Sequence, residues 1–105
     1  MGLRAVALLF SIAAAPPAIA ASISDTEVLA ITQKHCAMCH AEKPTHESFS
    51  EAPKKIRLES VGDLRKYATT IYAQTVQTRA MPLGNASAMT DDERAALGRW
   101  LKELP

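Results

Sequence analysis

The chain has 105 residues, enough for one domain, and a formal charge of +1. The balance of 12 basic against 11 acidic residues argues against nucleic acid or an anionic membrane as partner. Cys36 and Cys39 are the only cysteines, so one short motif holds every thiol.

Arg4, the apolar run Ala5–Ala15 and the small residues of Ala18-Ile19-Ala20 have the layout of a secretory signal peptide. The run is shorter than the ~20 residues that span a bilayer, and Pro16 and Pro17 close it. A signal peptide is therefore expected over residues 1–20, cleaved after Ala20 or alternatively Ala21, in preference to an uncleaved anchor. One exported domain is expected over 21–105. Loss of Arg4 leaves it with eleven basic and eleven acidic residues, formally neutral. A domain of about 85 residues has a small core, and such domains often recruit a staple or a bound cofactor.

The first ordered element starts at Ser24-Asp25-Thr26-Glu27, where Ser24 and Glu27 form a capping box. Ile23 and Val28 suit a hydrophobic staple around it. Val28, Leu29, Ile31 and Thr32 supply a helical face. This helix runs into Cys36-Ala37-Met38-Cys39-His40, which is expected on its last turn and is a C-x-x-C-H pattern, the attachment signature for a c-type haem. Each thiol can add to one vinyl group of the porphyrin, and the next residue brings an imidazole beneath the iron. Three rival readings exist. A thioredoxin-like C-x-x-C wants a βαβ context, which is not visible. A zinc site needs about four ligands, and only His35 and His46 remain to supply them. The third is a disulfide or a pair of buried thiols. His35 is read as a helix-end residue near the haem edge, and Met38 as packing that points away from the iron.

Residues 41–59 hold Pro44, Thr45, His46, Ser48, Ser50 and Pro53 and read as a loop. A loop of this length in a small domain is usually packed on something. Phe49 could cover a ring there. His46 is read as a loop histidine before an alternative iron ligand. The proximal imidazole needs an acceptor for its second N–H. The carbonyl of Pro53 is the first candidate and that of Pro44 the second.

Ser60 and Asp63 open a further helix. Leu64, Tyr67, Ala68, Ile71, Tyr72, Thr75 and Val76 recur at helical steps, as one bent helix or two short ones. Tyr67 and Tyr72 each carry an apolar body and a polar tip, and one hydroxyl, with Tyr67 as the site candidate, is expected to bond a haem propionate or lie near the distal ligand. Arg79-Ala80-Met81-Pro82-Leu83-Gly84-Asn85 follows. Pro82 ends the helix, and Gly84 and Asn85 tolerate positive φ. Met81 is the expected second iron ligand, a soft thioether that raises the potential of a His-ligated haem. Met89 is its competitor, but it immediately precedes the capping box Thr90–Glu93 and reads as packing. Arg79 is a candidate partner for a haem propionate. The last helix, Asp91 to about Glu103, carries the stripe Ala96, Leu97, Trp100, Leu101 and Leu104. Gly98 within it suggests a close crossing, with the first helix near Ala30 and Ile31 as partner. Trp100 is expected in the core beside the haem.

An N-terminal helix ending in C-x-x-C-H, a helical middle, Ala80-Met81-Pro82 and a C-terminal helix with an aromatic residue together resemble a class I cytochrome c, over essentially all of 21–105. The resemblance implies a small all-α fold whose N- and C-terminal helices cross over one covalently bound haem. It makes Cys36 and Cys39 the thioether links, His40 the proximal ligand and Met81 the distal ligand. His35 through Pro44-Thr45-His46, Thr78–Ala86 and Met89–Arg94 resemble more closely the C-terminal cytochrome c domain of the bacterial membrane-bound urate oxidases (urate hydroxylases). In those enzymes of purine catabolism the haem domain is thought to receive electrons from urate. Their multi-span membrane part is not expected here, where a signal peptide is expected in its place.

The expected function is that of a periplasmic mono-haem electron carrier, monomeric and not an enzyme. Its partners would be a donor dehydrogenase or oxidase and an acceptor such as a terminal oxidase. Nucleic acid is not expected as a partner, nor stable membrane insertion after cleavage. The alternatives are a haem-based ligand sensor or small peroxidase with a displaceable distal ligand, and a thiol oxidoreductase.

Overall fold

A computed structural model describes residues 2–8 and 22–105. The expected apolar run from residue 9 onward and the expected cleavage site lie outside the described residues. The described chain is all-α. Helix α1 spans Asp25–His35, α2 Val61–Lys66, α3 Ala68–Tyr72 and α4 Asp91–Lys102. A π-helical turn, Ala73–Gln77, continues α3, and tight turns occupy Pro53–Lys55 and Leu83–Asn85. Among the described residues no helix is long and apolar enough to cross a membrane.

Local chemistry explains where the helices begin. Ser24, Ser60 and Thr90 each accept from the backbone N–H three residues on, at 3.1 Å. The side chains of Glu27, Asp63 and Glu93 return the bond to the cap N–H. Each box satisfies two donors that a helix start otherwise leaves unpaired. The helical middle breaks at Tyr67, which closes α2 and opens α3 with a non-helical ψ of 19°.

Val28, Leu64 and Leu97 are fully buried, and Ile71, Met89, Trp100 and Leu101 complete the core around them. Each such side chain contributes about 1.5–3 kcal/mol through burial. Ile23 packs against this cluster, as a staple to Val28 requires. The indole N–H of Trp100 donates to Asp25 at 2.9 Å, which pins α4 to the start of α1.

Gly98 serves a different crossing from the one expected. A Cβ there would lie 3.2 Å from Val76 Cγ2 and 3.9 Å from Tyr72, so α4 closes on the π-turn and the end of α3, not on Ala30 and Ile31. Gly98→Leu should therefore overpack this contact and cost about 1–3 kcal/mol. Gly98→Ala should be near neutral, because a gain of ~1 kcal/mol in helix propensity offsets the tight Val76 contact. Thermal unfolding of both variants checks this, and a leucine variant as stable as the parent would refute the close crossing.

Candidate cofactor site

Helix α1 ends at His35, and a sharp turn follows. The N–H groups of Cys36 and Ala37 both donate to Thr32, at 2.8 and 3.0 Å. Those of Cys39 and His40 fold back onto the Cys36 carbonyl, at 3.2 and 2.8 Å. This turn brings Cys36, Cys39 and His40 to the wall of one cavity of about 500 Å³. Cofactor sites run roughly 300–1,000 Å³. The wall is mostly apolar, with Ile56, Leu58 and Phe49 from the loop, Tyr67 and Ile71 from the helical middle, and Met81, Pro82 and Leu83 opposite. Chain segments separated by 40 residues in sequence thus meet around one space.

The thiols are free, Cys36 buried and Cys39 half-buried. Burial, with Cys39 nearby, pushes the Cys36 thiol up to about 11. Burial also raises Cys39. A disulfide oxidoreductase lowers the pKa of its attacking thiol to make thiolate, and here both shifts run the other way. Among the described residues no three His, Cys, Asp or Glu side chains gather as a metal cluster, so the zinc reading lacks its ligand set.

His40 has one ring nitrogen engaged. Nδ1 lies 2.8 Å from the carbonyl oxygen of Ile56. A carbonyl only accepts, so Nδ1 carries a proton and donates, and in the neutral ring the lone pair is then on Nε2. The acceptor is neither Pro53 nor Pro44. The Pro53 carbonyl is taken by the Ile56 N–H at 3.1 Å. Lys54 and Lys55 adopt positive φ values of 55° and 58°, and this double left-handed turn carries Ile56 back towards the motif. The N–H of Leu58 then donates to the His40 carbonyl at 2.7 Å, so the ring and the backbone of His40 are both tied to residues 56–58. Pro53 itself still lines the cavity.

Met81 lines the cavity, half-buried, and its backbone is held on both sides. Its N–H donates to Gln74 at 2.9 Å, and its carbonyl accepts from Arg94 Nη1 at 2.8 Å. Gly84 and Asn85 take φ values of 58° and 48° in the loop beyond. The Asn85 side chain brackets Met89, accepting from its N–H at 2.9 Å and donating to its carbonyl at 3.2 Å. Met89 is buried in the core and does not reach the cavity wall.

Other expected residues fall in different places. Arg79 is exposed, off the cavity wall, and pairs with Asp91 at 3.7 Å. The positive end of α4 draws acidic residues to its first turn, and one of these supplies the partner. Trp100 is a core residue but is not on the cavity wall, nor is Tyr72. Met38, expected to point away, is on the wall, as are His46 and Phe49, whose rings lie 5.6 Å apart.

His35 is more deeply engaged than its place at a helix end suggests. Its side chain is fully buried. Nδ1 lies 2.7 Å from Ser87 Oγ and Nε2 lies 2.8 Å from Glu93 Oε2, so the ring clamps α1 to the loop after Met81 and to α4. The Thr90 backbone N–H, assisted by His35 and opposed by burial, lowers the Glu93 carboxyl to about 2. Because the folded value lies below the unfolded one, Glu93 stabilises the fold above about pH 4.5. That contribution fades as pH falls towards 2. Glu93→Gln should therefore flatten the loss of stability between pH 4.5 and 2, as thermal unfolding across that range would show. An unchanged acid limb would refute the assignment.

The residues suit a haem. Two thiols three positions apart flank a turn, an imidazole nitrogen is left free, a thioether shares the wall, and the lining between is apolar. Searches against protein-family models, curated proteins and solved structures returned no match for this chain.

Proposed function

We propose that this chain holds one haem c and works as a periplasmic electron carrier with a class I cytochrome c fold. The observation that carries the reading is that Cys36, Cys39, His40 and Met81 line one apolar cavity, with His40 Nδ1 tied to a carbonyl. When bound, the haem supplies a one-electron Fe(III)/Fe(II) couple.

Each residue has a part. Cys36 and Cys39 would hold the haem through two thioether links. The Ile56 carbonyl orients His40 and strengthens it as a donor through Nε2. Met81 would supply the second iron ligand, a soft thioether that favours the reduced state. Leu58, Ile71 and the other apolar wall residues exclude water, which also favours the less charged iron. Tyr67 contributes its apolar ring to the wall. With His40 and Met81 both committed to the iron, the chain would exchange electrons with other proteins and bind no substrate at the metal. Those partners are a donor dehydrogenase or oxidase, a urate-oxidising one among the candidates, and an acceptor such as a terminal oxidase. Such encounters are small and transient.

Optical spectra of the protein expressed with c-type maturation test the reading. Expected are haem that survives denaturation, sharp bands on reduction, a weak ferric sulfur-to-iron charge-transfer band, and slow binding of CO to the ferrous form. A high-spin spectrum with rapid CO binding would instead mean an open distal site, as in a ligand sensor or small peroxidase. Absence of covalent haem would overturn both.

A further inference from the structure

Arg94 occupies a place where a cation is costly. It lies on the buried face of α4, three residues before Leu97 and seven before Leu101. Only 7% of it is exposed. No carboxylate among the described residues comes within 4.0 Å of it, and its Nε is buried without a hydrogen-bond partner. A buried charge of this kind persists only where its hydrogen bonds repay the desolvation.

Those bonds go to two places. Nη1 donates to the Thr75 carbonyl at 2.6 Å and to the Met81 carbonyl at 2.8 Å. Thr75 belongs to the π-turn, where the usual helical pairing of carbonyls is interrupted. Met81 lies six residues further on, and its own N–H already reaches back to Gln74. One nitrogen of Arg94 therefore closes the segment between the π-turn and Met81 from inside the fold. The guanidinium does not itself line the cavity. It acts on the cavity through the Met81 backbone.

We infer that Arg94 is the positioning residue for Met81: it holds the Met81 carbonyl against the π-turn so that the thioether stays on the cavity wall. This rests on the haem reading, with Met81 as the distal ligand. Without the two bonds, the segment loses its anchor to α4 and the thioether can swing away. The distal position would then open to small ligands.

The test uses the matured protein and Arg94→Met, Arg94→Lys and Arg99→Met variants, the last an exposed arginine on the same helix. Far-UV circular dichroism and covalent haem by mass establish that each variant is folded and loaded. Arg94→Met is expected to lose most of the ferric sulfur-to-iron band, to bind CO in the ferrous form at least tenfold faster, and to show a lower reduction potential. Arg94→Lys keeps a donor and the charge and should recover part of each change, while Arg99→Met should match the parent. Arginine side-chain NMR of the parent gives a measurement that no variant has to survive. The Arg94 Nη protons should exchange with water far more slowly than those of Arg99. Folded, loaded Arg94→Met with the parent's band, CO rate and potential would overturn the inference and leave the haem reading intact. Equal exchange of Arg94 and Arg99 would do the same. A parent without the sulfur-to-iron band would overturn both together.

Discussion

Cys36→Ala combined with Cys39→Ala is expected to yield a chain with no covalent haem and little stable fold. The reason is the size of the space that the two thiols border. The cavity measures about 500 Å³ and its wall is mostly apolar. Without a filler that apolar wall faces water and forgoes burial worth about 25 cal/mol per Å², on the order of several kcal/mol in all. Yet the whole stability of a domain is only about 5–15 kcal/mol. The core left to resist collapse is small, centred on Val28, Leu64 and Leu97. Loss of the attachments should thus remove most native helicity as well as the haem. Mass spectrometry and far-UV circular dichroism of the double variant check the two effects separately. A single variant should keep its haem through the remaining sulfur. A double variant with parental helicity and no haem would show that the cavity closes at little cost, and the account of the fold as a wrapper would fail.

Met81→Ala is expected to leave the covalent haem in place but to abolish the ferric sulfur-to-iron band. It should also lower the reduction potential and let CO bind readily. His40 remains tied to Ile56 and Leu58, so the proximal side should not change. Met89→Ala makes the contrast. Met89 is 5% exposed, in the core and off the cavity wall, so its truncation should cost about 2–5 kcal/mol in stability and leave the band. Spectra and thermal unfolding of the two variants separate a ligand from a packing residue. A band that survives in Met81→Ala and disappears in a folded Met89→Ala would reverse the assignment.

The sequence alone determined what depends on neighbours in the chain. The capping boxes at Ser24 and Thr90, the cap at Ser60 and the left-handed residues after Met81-Pro82 all arise from contacts a few positions apart, whereas the motif, expected on the last helical turn, lies in a turn beyond His35. Side-chain type and spacing encode such contacts directly. The same logic separates Met81, in a turn, from Met89, against a cap, and the structure puts the first on the cavity wall and the second in the core. Only the tertiary structure decided which backbone groups serve the site. Every residue carries a carbonyl, so nothing in residue type marks Ile56 as the acceptor for His40. The double left-handed turn at Lys54 and Lys55 sets that register. The same holds for Arg94, whose partners are the carbonyls of Thr75 and Met81, and for Gly98, whose close neighbour proved to be Val76. Arg79 had the right charge for a carboxylate partner and found one on α4 instead, off the cavity wall. Long-range partners are chosen by packing geometry, to which a pattern of residue types three or four apart is blind.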